Sequence, residues 1–127
     1  MSEKKVLIVD DAVFMRSMQK RIIAGSGDYE VYEAADGEEA VALYKKIRPG
    51  LVLLDISMPG QSGMDLLKLL DEEKHPRPHV IILTGFATFE YAREALKFGV
   101  SDYLLKPIRP ETLTAAITSL KAELDRE

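Results

Sequence analysis

The segment VLIVDD, residues 6–11, runs four apolar residues straight into two adjacent aspartates, Asp10 and Asp11. The apolar run reads as a strand buried on both faces. Two like charges side by side raise each other's pKa unless something positive lies near them. The pair therefore either caps a helix in water, with Asp11 as the cap, or helps to hold a cation. The other strands decide between the two. Short apolar runs recur at KVLIV (5–9), YEVYEA (29–34), LVLL (51–54), VIIL (80–83) and DYLL (102–105). Helical patterns separate them. Val13, Phe14, Ser17, Met18, Arg21 and Ile22 form a mostly apolar stripe on a first helix, which GSGD (25–28) breaks. DGEEAVALYKKI (36–47) opens acidic and closes basic, in keeping with the helix dipole. SGMDLLKLLDEE (62–73), ATFEYAREALKF (87–98) and RPETLTAAITSLKAEL (109–124) complete the set, with Pro110 suited to a first turn.

Five strands alternating with five helices predict an α/β fold, a doubly wound parallel sheet covered on both faces. The first, third and fourth strands are apolar throughout and belong in the middle. YEVYEA alternates and DYLL starts polar, so both suit edges, giving the order 2-1-3-4-5. The 127 residues fit one domain spanning 1–127. A net charge of −4 argues against direct nucleic-acid binding. The absence of cysteine excludes thiolate chemistry and suits a reducing cytoplasm. No apolar run approaches the roughly 20 residues of a membrane span, and MSEKK leads into a strand without a signal-peptide core.

Sites in such sheets form beyond the carboxyl ends of the strands, near the switch point between the first and third. There the chain places Asp10 and Asp11, then Asp55, Thr84 and Lys106 followed by Pro107. Three carboxylates against one ammonium leave two net negative charges, which one Mg²⁺ would neutralise through oxygen ligands. With the metal present the cluster can receive a phosphoryl group. Lys106 would neutralise charge on the transferring oxygens, Thr84 would hydrogen-bond to one, and Asp55 would act as the nucleophile, giving an acyl phosphate.

VLIVDD, LLDISMPGQSGMDLL, VIILTG and SDYLLKP together resemble the receiver domain of two-component response regulators, over essentially the whole chain. The resemblance implies the flavodoxin-like (βα)5 receiver fold. It assigns Asp55 as phosphoacceptor, and Asp11 and Asp10 as metal ligands, direct and through water. Ser57 would complete the metal shell with its backbone carbonyl. Thr84 and Lys106 would sense the phosphate, Pro107 would follow a cis bond, and Tyr103 would be the aromatic switch. Phe86 and Ser57 fall where family members vary in dephosphorylation rate, and a bulky Phe86 would hinder the attacking water. The implied donor is a histidine kinase or histidine phosphotransfer protein. The implied output is a remodelled face of fourth helix, fifth strand and fifth helix, where Arg93, Lys97 and Asp102 would support a phosphorylation-dependent homodimer. Such a domain is a signalling module that catalyses only its own phosphorylation and dephosphorylation.

Other readings share this layout. A haloacid-dehalogenase-type aspartyl phosphatase needs a second acid two residues after its nucleophile, where Ser57 stands. A flavodoxin-like electron carrier needs a hydroxyl- and glycine-rich phosphate loop where DDAVF offers carboxylates. A degenerate receiver serving only as a docking module would not need the full residue set. Within the family, DDAVFMRSM resembles stand-alone chemotaxis-type receivers, and TFEYAREALKFGVSDYLLKP resembles receivers joined to AraC-like transcription factors. The chain stops after the fifth helix, without an effector, so it reads as stand-alone or as excised from a longer regulator. His75 and His79 read as solvated loop residues, and Met15 and Met18 as core and rim.

Overall fold

The computed structural model describes residues 5–55, 64–72, 78–85 and 100–125. The strands are β1 (Lys5–Val9), β2 (Glu30–Ala34), β3 (Leu51–Asp55), β4 (His79–Thr84) and β5 (Asp102–Leu105). The helices are α1 (Val13–Ser26), α2 (Gly37–Ile47), α3 (Met64–Glu72) and a C-terminal helix (Pro110–Asp125). The strands pair in parallel in the order β2-β1-β3-β4-β5. The strands rich in unbroken apolar sequence thus lie inside, because both of their faces are covered. The fourth helical pattern, 87–98, lies outside the described residues.

Period-two alternation splits the core in two. Leu7, Val9, Val52, Leu54, Val80 and Ile82 face a layer that includes Ala40 and Tyr44 of α2 and Leu66, Leu67 and Leu70 of α3. Val6, Ile8, Leu51, Leu53, Ile81 and Leu83 face the opposite layer, with Ile23 of α1 and Leu113 and Ile117 of the C-terminal helix. Each such buried side chain contributes about 1.5–3 kcal/mol relative to exposure.

Local signals set the helix ends. At α2, the Glu39 backbone N–H donates to Asp36 Oδ1 at 2.8 Å, while the Ala35 N–H donates to Glu39 Oε1 at 2.6 Å. Two orphan donors are thereby satisfied. Arg48 ends α2 in the left-handed region at φ 47°, its guanidinium 5.1 Å from the centroid of the Tyr44 ring. Gly27 ends α1, and a Cβ there would lie 2.8 Å from Cε2 of Tyr29.

Two sequence expectations are corrected. The stripe expected on α1 is rotated: Val13 and Phe14 are 66% and 78% exposed, Ser17 and Arg21 face solvent, and Gln19 and Ile23 are buried. Hydrophobicity alone drew the stripe through the first turn, but that turn sits beside the sheet's open edge, beyond the apolar core. His79 is the first residue of β4, not a loop residue. Its N–H donates to the Gly50 carbonyl at 2.9 Å and its Nδ1 lies 3.1 Å from Ser101 Oγ. His75 lies outside the described residues.

Truncation should separate the two faces of α1. Ile23→Ala is expected to cost about 2–5 kcal/mol of unfolding free energy in a urea titration. Phe14→Ala should change it by no more than about 0.5 kcal/mol. Equal losses would restore the stripe first expected.

Candidate functional site

Sheet register brings the candidate residues together. Val9 pairs with Leu54, Asp55 with Leu83, and Thr84 with Leu105. The residues at or just past these tips are Asp10, Asp55, Thr84 and Lys106, so four adjacent strands deliver them to one edge. Asp10, Asp55 and Thr84 are buried, Asp11 is exposed, and Lys106 is partly exposed. Lys106 Nζ donates to Asp55 Oδ2 at 3.0 Å. The Lys106–Pro107 peptide is cis. Thr84 Oγ1 donates to the Gly85 carbonyl at 3.1 Å.

One carboxylate oxygen each from Asp10, Asp11 and Asp55 lies within 4.8 Å of the others. This all-oxygen, strongly anionic set fits a hard divalent cation, which binds through one or two carboxylates and retains water. It does not fit a helix cap in water. Ala12, not Asp11, is the N-cap of α1, and it makes no side-chain capping bond. Ser57 and Phe86 lie outside the described residues.

Tyr103 stands on the β5 edge, 38% exposed, its backbone N–H donating to Asp102 Oδ1 at 2.8 Å. Arg93 and Lys97 lie outside the described residues. Met15 and Met18 join Lys106, Pro107 and Ile108 in lining an open groove of about 490 Å³ beside the acidic edge.

Sequence reasoning missed the groups that grip Asp10. The Ala12 N–H donates to its Oδ1 at 2.9 Å, and Gln19 Nε2 to its Oδ2 at 3.2 Å. Arg16 donates through a terminal guanidinium nitrogen to its backbone carbonyl at 2.6 Å and through Nε to Glu33 Oε1 at 3.2 Å. The signal was Arg16, Gln19 and Ile23, spaced three and four apart and so on one helical face.

Burial pushes the Asp10 carboxyl above its ordinary pKa. The Ala12 N–H opposes the rise, the Asp55 charge adds to it, and Lys106 and the Gln19 amide oppose it. A native carboxyl with a raised pKa holds more protons than the unfolded one, so it favours folding below the ordinary aspartate range. That contribution is lost as pH rises through the native pKa. In EDTA at neutral pH, Asp10→Asn should therefore raise the urea midpoint. The gain should shrink as pH is lowered toward the ordinary aspartate pKa. A lower midpoint at neutral pH would contradict this.

Comparison with known proteins places residues 6–118 in a match to the response regulator receiver domain. The chain is 40% identical over 118 residues to a chemotaxis protein CheY of Thermotoga maritima, covering 92% of this chain and 97% of that protein. It is 38% identical to the transcriptional regulatory protein BtsR of Salmonella typhi, over 97% of this chain but 50% of that protein. The chain thus spans nearly all of one curated relative and about half of another. Among solved structures, the REC domain of AraT, a response regulator from Geobacillus stearothermophilus, gives a TM-score of 0.84 at 36% identity. That match covers 98% of this chain and 97% of the other. The aspartyl phosphatase reading finds no support among these matches.

Proposed function

The chain belongs to the response regulator receiver family of two-component signalling, and from that membership we propose that it accepts a phosphoryl group on Asp55 in a Mg²⁺-dependent reaction. Its role is that of a signalling domain rather than a typical enzyme. The observation that carries the reading is the convergence of the Asp10, Asp11 and Asp55 carboxylates with Lys106 Nζ at 3.0 Å from Asp55.

The donor is a phosphohistidine on a sensor histidine kinase or a histidine phosphotransfer protein. A carboxylate oxygen of Asp55 forms the new P–O bond as the donor's P–N bond breaks. The electron pair stays with the leaving imidazole, which takes a proton from water. Asp10, Asp11 and Asp55, with the Ser57 carbonyl, are the groups that would hold Mg²⁺. A bound Mg²⁺ supplies Lewis-acid neutralisation of phosphoryl oxygen charge. Lys106 contributes a further positive charge and holds Asp55 in place beforehand. Thr84 gives up its bond to the Gly85 carbonyl and donates to a phosphoryl oxygen instead. Water later cleaves the acyl phosphate at phosphorus and restores the Asp55 carboxylate.

Exchange of the Thr84 hydrogen bond biases a population shift in which Tyr103 turns inward from the β5 edge. The remodelled face includes β5 and the C-terminal helix, and it engages a target or a second copy of the chain. The exposed Val13 and Phe14, which follow the acidic pair after Ala12, offer the donor an apolar foothold. The receiver unit over 1–127 works in the cytoplasm in this reading, and the net charge of −4 fits a role without direct nucleic-acid contact. Among the described residues, no helix is long and apolar enough to cross a membrane.

The test is transfer of label from acetyl phosphate with and without Mg²⁺. Uptake should require the metal and vanish in Asp55→Asn. Lys106→Ala should slow it by about 10²–10³-fold, as expected for the loss of one preorganised electrostatic group. Undiminished labelling of Asp55→Asn at no alternative residue overturns the assignment. Rapid turnover of a generic phosphomonoester would reinstate the phosphatase.

A further inference from the structure

Gln19 stands out on the inner face of α1. It is wholly buried beside the buried Ile23. Its Nε2 donates to Asp10 Oδ2, yet its Oε1 has no hydrogen-bond partner among the described residues. A buried carbonyl oxygen left unpaired costs folding stability, and an apolar side chain of similar shape would avoid that cost. The amide is therefore a poor packing choice, and its usefulness must lie in what its nitrogen does for Asp10.

Three carboxylates whose oxygens lie within 4.8 Å repel one another when no cation is bound. Asp55 is tied to Lys106, and Asp11 is exposed to water. Asp10, wholly buried, would relieve the repulsion by rotating about its terminal bond. The Ala12 N–H on Oδ1 alone leaves that carboxylate a pivot. The Gln19 amide on Oδ2 removes it, since two donors on different oxygens fix the carboxylate plane. Arg16, one turn earlier, fixes the backbone carbonyl of the same residue.

We infer that Gln19 is a positioning residue of the acidic site, a side chain that clamps Asp10 through Nε2 so that the three carboxylates remain gathered for a divalent cation. This rests on the Mg²⁺-dependent reading above. The clamp sits one residue behind the ligand set, where loss of a ligand's hydrogen-bond partner typically weakens metal binding about 10–100-fold. It also separates two effects that ordinary packing would join. Removing the amide takes away an orphaned oxygen but leaves Asp10 Oδ2 without that donor, so the two changes offset in the metal-free fold, while the freed Asp10 holds the cation less well.

The experiment uses the whole chain, with Gln19→Met to keep the shape and remove both polar atoms, and Gln19→Asn to draw the amide back from Asp10. Mg²⁺ alone is titrated against the backbone amide resonances of residues 10–12 and 55, and unfolding by urea is measured in EDTA. Both variants should raise the Mg²⁺ Kd by about tenfold or more. The metal-free midpoint of Gln19→Met should stay close to that of the parent, the orphaned oxygen removed offsetting the hydrogen bond lost to Asp10. A Kd within twofold of the parent in both variants overturns the inference. So does failure of Gln19→Met to fold in EDTA, which would make Gln19 a core packing group. A parent that takes up no Mg²⁺ brings down this inference and the Mg²⁺-dependent reading together. A parent that binds Mg²⁺ while both variants match it removes only the role of Gln19.

Discussion

Lys106 Nζ meets Asp55 Oδ2 at 3.0 Å, and the charge balance of the whole sheet edge turns on that contact. With the Asp55 carboxylate buried and the lysine only partly exposed, the cost of desolvation offsets much of the pair's attraction. Its importance is positional. It draws β5 chemistry to the tip of β3 and brings an ammonium directly onto one of the three clustered carboxylates. Even so the edge stays anionic, with Asp10 completely buried. Such a site can persist only because the stability comes from elsewhere: strands β1, β3 and β4 carry apolar residues into both core layers. The core secures the backbone, and the acidic tips are thereby held close against their own repulsion.

Much of the architecture could be read from residue patterns. Unbroken VLIV, LVLL and VIIL could only be central, and the polar starts of the outer strands could only be edges, so the order followed. Asp10, Asp55, Thr84 and Lys106 were legible for the same reason. Each directly ends or follows an apolar run, and parallel register aligns such ends at one edge.

Details that depend on side-chain direction were not legible. The stripe on α1 was misplaced because Val13 and Phe14 are apolar yet stand past the end of the core, while the buried position belongs to a polar Gln19. A pattern that scores hydrophobicity counts that residue as surface. His79 was assigned to a loop because neighbouring prolines suggested a turn, although its N–H completes a sheet bond to Gly50. The hold of Arg16 on the Asp10 carbonyl involves a main-chain acceptor, which no residue code advertises.

Strand order also bears on how the protein is made. β1 lies between β2 and β3, so the earliest strand waits for two later neighbours before both its edges are covered. Acidic groups at positions 10, 11 and 55 are synthesised long before the ammonium at 106. A nascent chain emerging from the ribosome therefore carries the acids without their counter-charge until β5 docks on β4. The complete charge arrangement of the edge is consequently withheld from incomplete chains, and β5, the last of the five strands to arrive, acts as a built-in certificate that translation has passed it.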